Sequence, residues 1–131
     1  MSLYGYLARL ENTLRSRQDI TLKELRLTLT TLGAILQASL RFYDGSRLNI
    51  VEEVERAGRW GTSRIAYKFH YQRADETLVF RYDNLPHYPH LATFPSHKHV
   101  GDAVIEAKAP DLADVLREID AIIYLESPGG K

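Results

Sequence analysis

Hydrophobic positions change their period twice along this chain. Leu3, Tyr6, Leu7, Leu10 and Leu14 recur at three- and four-residue intervals. That spacing predicts an amphipathic helix over residues 2–16, packed on a core. Ser2 stands where an N-cap belongs. Gly5 weakens the helix by roughly 1 kcal/mol against alanine if exposed. From Ile20 the period becomes two. Leu25, Leu27 and Leu29 alternate with Arg26, Thr28 and Thr30, the pattern of a half-buried strand. Gly33 marks a turn. Leu36, Ala38, Leu40 and Phe42 then alternate with Gln37, Ser39 and Arg41. Asp44–Gly45–Ser46 reads as a three-residue hairpin loop, which sets Phe42 opposite Leu48 and Leu40 opposite Ile50. A third strand runs from Arg47 to Glu55. The loop Arg56–Gly61 carries the sole tryptophan, Trp60. It is expected to cover the core edge, with base stacking as its alternative use.

The next hairpin is more informative. Tyr67, Phe69 and Tyr71 alternate with Lys68, His70 and Gln72, and Phe80 and Tyr82 alternate with Val79, Arg81 and Asp83. A two-residue turn at Asp75–Glu76 pairs Ala74 with Thr77, Tyr71 with Phe80 and Phe69 with Tyr82. The same register sets His70 opposite Arg81 and Lys68 opposite Asp83. One face is then aromatic and buried, and the other carries all the charge. Leu112, Val115, Leu116, Ile119, Ile122 and Ile123 form the stripe of a second helix over Pro110–Leu125. The tail Ser127–Lys131 is expected to fray. The predicted fold is α+β: an antiparallel sheet of four or five strands, with N-terminal and C-terminal helices packed on one face. Residues 1–131 are read as a single domain.

Composition narrows the possible functions. With 44% hydrophobic and 26% charged residues the chain is globular in type. It contains no cysteine, so thiol nucleophiles, disulfides and thiolate metal sites are excluded. No stretch reads as a signal peptide or a membrane span, and cytoplasm is the default compartment. Seventeen basic and seventeen acidic residues balance, which argues against a uniformly basic nucleic-acid binder. The balance is uneven along the chain, however. Arg56, Arg59, Arg64, Lys68 and Arg73 fall in an interval without an acid, which can attract phosphate locally.

Candidate chemistry collects after Phe80. His87, His90, His97 and His99 lie on a stretch stiffened by Pro86, Pro89 and Pro95, and His70 sits on the facing strand. Long loops in compact domains are commonly functional, and prolines lower the entropy lost on ordering them. RNA cleavage without a metal needs a base, an acid and cations on the phosphate. His70, Arg81, His97, Lys98 and His99 supply all three, with Asp83 to orient a histidine or the arginine. Arg64, Lys68 and His87 are candidate RNA contacts. The same residues also fit ordinary cross-strand pairs on a solvated face. His97-x-His99, with His87, His90 and Asp83 or Asp102, is an alternative metal set. It lacks the stronger zinc spacings, and Lys98 opposes a divalent ion. No metal or other cofactor is expected. Phosphate-loop, dinucleotide and serine-elbow motifs are absent from the sequence.

The string HYQRADETLVFRYDNLPHYPHLATFPSHKHVGD resembles the signature of TumE-type toxins of prokaryotic toxin–antitoxin operons. Their pattern is close to HY…DG…L·FRYDN·PHHP…TFPHHKH. His70, Tyr71, Leu78, Phe80, Arg81, Tyr82, Asp83, Asn84, Pro86, His87, Pro89, Thr93, Phe94, Pro95, His97, Lys98 and His99 match it. Glu76, Tyr88 and Ser96 depart from it. The resemblance implies a toxin neutralised by a DNA-binding antitoxin, expected to be a helix-turn-helix protein. Ribonuclease activity is the expectation from the residues, with RNA as substrate, a homodimer possible and no membrane partner. A metal-assisted phosphoesterase and a non-catalytic RNA- or protein-binding module are the alternatives.

Overall fold

Alternation of period two runs further along the chain than its apolar residues alone reveal. The structure, a computed structural model, describes residues 1–126. Helix α1 (Leu3–Arg15) is followed by strands β1 (Ile20–Leu29), β2 (Gly33–Phe42), β3 (Arg47–Ala57), β4 (Gly61–Gln72), β5 (Leu78–Asp83), β6 (His97–Val100) and β7 (Ala103–Glu106), then helix α2 (Leu112–Glu126). The strands form one antiparallel sheet in chain order. It has seven strands rather than four or five. The two missed strands are four residues each, and His97–Lys98–His99 has no apolar alternation to announce one. Their two-residue turn uses Gly101 at φ +57°, a conformation natural to glycine. Ser127–Lys131, expected to fray, lie outside the described residues.

Both helices cover one face of the sheet. Leu36, Ala38, Leu40 and Phe42 of β2, Leu48 and Ile50 of β3, Phe69 and Tyr71 of β4 and Phe80 of β5 are buried there against Leu14 of α1 and Leu112, Val115, Leu116, Ile119 and Ile123 of α2. The aromatic cluster is continuous, with ring centroids 5.3 Å apart for Tyr71–Phe80 and 5.4 Å for Phe80–Tyr82. Ser2 caps α1 through Gly5 N at 3.0 Å. Asp111 and Asp114 cap α2 reciprocally at 2.8 and 3.1 Å. Trp60 does not cover the core edge. It is 76% exposed at the tip of the β3–β4 hairpin, ten residues along the chain from His70, with roughly 30 Å of strand between them.

The two central hairpins keep the expected faces but reach them differently. In β2–β3, Leu40 pairs with Leu48 and Ala38 with Ile50, so the expected Phe42–Leu48 register is two residues out. The loop is Tyr43–Asp44–Gly45, closed by Phe42 N to Ser46 O at 2.9 Å, with Gly45 at φ +86°. A shift of two preserves the inward side chains, and hydrophobic pattern alone cannot choose between such registers. In β4–β5 the pairs Tyr71–Phe80, Phe69–Tyr82, His70–Arg81 and Lys68–Asp83 all form as expected. The turn is nevertheless three residues, Ala74–Asp75–Glu76, closed by Arg73 N to Thr77 O. A bulge between Tyr71 and Gln72 absorbs the extra residue and restores the register.

Glu76 holds φ at +73°, a left-handed conformation costly for a side chain. Glu76→Gly is expected to stabilise the protein by about 1 kcal/mol. Thermal unfolding should then shift upward by roughly 3–5 °C for a chain of this size. An unchanged or lower midpoint would mean that the Glu76 side chain supports the turn in its own right.

Candidate functional site

Strand β5 lies between β4 and β6, and this order assembles the site. Arg81 pairs with His70 on one side and His99 on the other, while Asp83 pairs with Lys68 and His97. Side chains two apart on a strand share a face. His70, Arg81, Asp83, His97 and His99 therefore gather on the helix-free face. His70 and His99 are two strand spacings apart, about 9.6 Å between backbones, with Arg81 between them.

Asp83 is the hub. It is 2% exposed. Its Oδ1 accepts from His97 Nε2 at 2.9 Å and from Leu85 N at 3.0 Å. Its Oδ2 accepts from Arg81 Nε at 3.1 Å and lies 3.6 Å from His99 Nε2. His97 is 1% exposed, and its Nδ1 faces Pro95 O at 2.9 Å. A carbonyl and a carboxyl oxygen thus occupy its two nitrogens, fixing the ring from both sides. His99 is different. Arg81 Nη2 lies 3.0 Å from its Nε2, so that nitrogen accepts and Nδ1 carries the proton. Burial, then the Arg81 charge, lowers the His99 pKa below its ordinary value, against the opposing pull of Asp83. Burial also lowers the His70 pKa. The bond to Gln72 opposes this, and the charges of Arg81 and Lys68 reinforce it. His70 Nε2 lies 3.1 Å from Gln72 Oε1. With the amide oxygen accepting, Nδ1 of His70 is left with a lone pair.

The stretch 84–96 is held down as a series of tight turns, with His87 N bonded to Leu85 O, Leu91 N to Tyr88 O, and Ser96 N to Thr93 O. Asn84 extends the β5 edge by side chain, accepting from Tyr67 N at 3.1 Å and donating to Ile65 O at 3.1 Å. Tyr67 Oη donates to Ser96 at 2.9 Å. Tyr88 packs edge-on against His97 and His99, at 4.8 and 5.9 Å between ring centroids.

Not every expected residue joins this cluster. Lys98 alternates to the helix face. There Glu118 accepts from its Nζ at 2.6 Å and from Tyr82 Oη at 2.6 Å, and the ammonium lies 4.9 Å from the Tyr82 ring centroid. Burial opposes the Lys98 charge, but the bonds to Glu118 and Tyr82 outweigh it and raise its pKa. The expectation of Lys98 on a phosphate is therefore corrected: one step along a strand reverses the face. Arg64 also turns inward. A bulge at Ile65 carries it to the helix face, 3.4 Å from buried Glu52 and 4.3 Å over the Tyr67 ring. Lys68 is exposed on the site's face, and His87 and His90 are exposed on the loop beside Tyr88. Gln72, Tyr88 and Glu118 were not foreseen. Alternation alone could have placed Gln72 beside His70, but nothing local in the sequence sets Glu118 over Lys98.

Asp83, His97 and His99 bring potential ligand atoms within 4.8 Å of one another, the closest approach to a metal set among the described residues. These atoms do not suit a cation as arranged. Arg81 already bonds Asp83 Oδ2 and His99 Nε2, and His97 Nε2 is engaged by Asp83 itself. A metal would have to displace the guanidinium.

The site is thus a buried carboxylate ringed by two imidazoles and an arginine, on the helix-free face of a helix-backed antiparallel sheet. The family follows from comparison: a model described as Toxin TumE matches residues 9–123, nearly the whole chain, and the protein belongs to that family. Membership implies a toxin of a toxin–antitoxin system and hence an antitoxin partner. No curated protein and no solved structure matches the chain. No described helix is long and apolar enough to cross a membrane.

Removing one member of a buried charged pair costs about 3–5 kcal/mol. Asp83→Ala is expected to lose that much in denaturant unfolding, whereas His70→Ala should stay within about 0.5 kcal/mol of the parent. Equal stabilities for the two variants would remove Asp83 from its central place.

Proposed function

We propose that this toxin cleaves RNA by metal-independent acid–base chemistry in the cytoplasm, held in check by a helix-turn-helix antitoxin. The observation that carries the reading is the row His70–Arg81–His99, with two imidazoles of lowered pKa flanking one guanidinium. A phosphate over Arg81 would lie between them. His70 Nδ1 takes the proton of the 2′-hydroxyl. The 2′-oxygen attacks phosphorus and the bond to the 5′-oxygen breaks. That oxygen takes a proton from His99, leaving a 2′,3′-cyclic phosphate and a 5′-hydroxyl. Arg81 stabilises the charge on the non-bridging oxygens.

The two histidines differ in what happens when substrate arrives. A phosphate draws Arg81 away from His99, whose Nε2 is then left facing Asp83 Oδ2 across 3.6 Å. Loss of the cation and gain of the carboxylate both favour the imidazolium, which makes His99 the acid. Asp83 and His97 are positioning residues in this scheme, since both are buried. Lys68 and His87 remain candidate RNA contacts at the rim. A second reading, a metal-assisted phosphoesterase, draws on the Asp83–His97–His99 grouping.

Cleavage of a single-stranded RNA by purified protein should survive a strong chelator, because Arg81 supplies the charge a metal otherwise would. Activity lost on chelation and restored by one divalent ion would move the assignment to the second reading. His70→Ala and His99→Ala should each remain folded and lose about 10²–10⁴-fold in rate. If both cut at the parental rate, the histidines are not catalytic.

The pH dependence follows from the shifts. In the free protein both histidines titrate below the ordinary 6.5. Catalysis needs His70 neutral and His99 protonated, so kcat/KM should fall on the alkaline side as His99 loses its proton. Its maximum is expected below pH 6.5. A kcat/KM that keeps rising through pH 8 would exclude this pairing of roles.

A further inference from the structure

Arg41 and Arg47 face each other directly across β2 and β3, and Arg47 in turn pairs with Gln72 of β4. Both arginines point to the helix-free face, in the row beside Ser39–Asn49–His70–Arg81–His99. Like charges directly opposite on a ladder repel. Among the described residues, neither side chain has an ion pair or a hydrogen bond, and Arg47 Nε is buried with no partner. Buried donors are almost always satisfied, so an orphan calls for an explanation. The chain's other inward or clustered arginines are matched: Arg17 by Asp19 and Asp120, Arg64 by Glu52, Arg81 by Asp83. The facing pair is short of an anion.

We infer that Arg41 and Arg47 form a clamp for a backbone phosphate of RNA, next along the strand from the phosphate at Arg81. This rests on the ribonuclease reading for its ligand. Gln72 joins the two sites, since it pairs with Arg47 and its Oε1 holds His70 at 3.1 Å. Strand spacing and rise put the Arg41 and His70 backbones about 12 Å apart, a span of one or two nucleotides for extended RNA. Two guanidinium forks match the oxygens of one phosphate. The groups between the clamp and the histidines are Ser39, Asn49 and Gln72, uncharged hydrogen-bonding side chains suited to sugar hydroxyls and base edges. That composition favours a nucleic-acid strand over an acidic segment of a protein partner.

The test uses the full chain and a single-stranded oligoribonucleotide methylated at every 2′-oxygen, which cannot be cleaved. Binding is followed by fluorescence anisotropy over a range of salt. The double variant Arg41→Gln/Arg47→Gln should bind about tenfold more weakly at low salt. Its log K against log salt should be shallower by about 0.7, the loss of one phosphate contact on a single strand. Arg41→Lys/Arg47→Lys should keep the parental slope while losing affinity, because it retains charge without the fork. Inorganic phosphate should raise the thermal midpoint of the parent and not of the Gln variant. The Gln variant should unfold at or above the parental temperature, because repulsion has been relieved. A dinucleotide, too short to reach the clamp, should be cut at the parental rate. Binding does not depend on cleavage, so a parent that binds with the expected slope but cuts nothing would overturn the catalytic reading and leave the clamp standing. Equal affinity and slope in parent and Gln variant would overturn the clamp, as would a parent that binds no RNA. Unchanged RNA binding with lost antitoxin binding would also overturn it and give the pair to the protein partner.

Discussion

A carboxylate buried on the face of the sheet that no helix covers is the constraint on which the rest depends. Asp83 lies at the end of β5, where the chain leaves the sheet, and an ionised group there is tolerable only if paired and hydrogen-bonded. His97 and Arg81 supply side-chain partners and Leu85 a backbone one. These come from β6, from β5 and from the first turn of the loop, so one group ties three segments together. The loop in turn provides the cover. Tyr88 lies against His97, and the turns from Leu85 to Ser96 are fastened by Asn84, Thr93 and Tyr67. Ordering thirteen residues between β5 and β6 carries a large entropic cost. The hydrogen bonds of that segment and the packing of Tyr88 on His97 and His99 offset it together.

The second consequence is a division of labour across the sheet. Period two sends neighbouring side chains to opposite sides, so the run His97–Lys98–His99 serves two purposes. The histidines join Asp83 and Arg81, while Lys98 closes a pair with Glu118 and fixes α2 over Tyr82. Folding and chemistry therefore interleave in three successive residues. The same holds in β5, where Phe80 and Tyr82 pack toward the helices and Arg81 and Asp83 build the site.

This division explains what was legible. The β4–β5 register was readable because aromatic and charged residues alternate without exception there, and any one-residue slip mixes them. The pairing of His70 with Arg81 came with it, and so did the stripes of both helices. Three things were hidden. The β6–β7 hairpin was missed because His97–Lys98–His99 carries no apolar period. The inward turn of Arg64 depends on a bulge at Ile65 that changes its face. The partner of Lys98 is set by how α2 lies on the sheet, a tertiary choice no local pattern encodes. Arg41 and Arg47 were visible as alternating polar residues, but their opposition depends on a β2–β3 register that hydrophobicity left uncertain by two.

The three departures from the family pattern bear on whether the site is intact, and each has a local answer. Tyr88 stands where a histidine is usual. Its ring packs edge-on against His97 and His99, a contact that another aromatic ring such as imidazole could also make. Ser96 replaces a second histidine, and its hydroxyl accepts from Tyr67, tying the loop to β4 just before His97. Glu76 replaces the turn glycine at the far end of β4–β5, where its strain is local and the bulge at Gln72 separates it from His70. None of the three is itself a member of the row His70–Arg81–His99, and only Tyr88 packs against it, at His99. What they alter is the frame around that row, and in two of the three places the substituted side chain makes a contact that holds the frame. The substitutions therefore leave the row His70–Arg81–His99 complete while moving its support from imidazoles to a phenol ring and a hydroxyl.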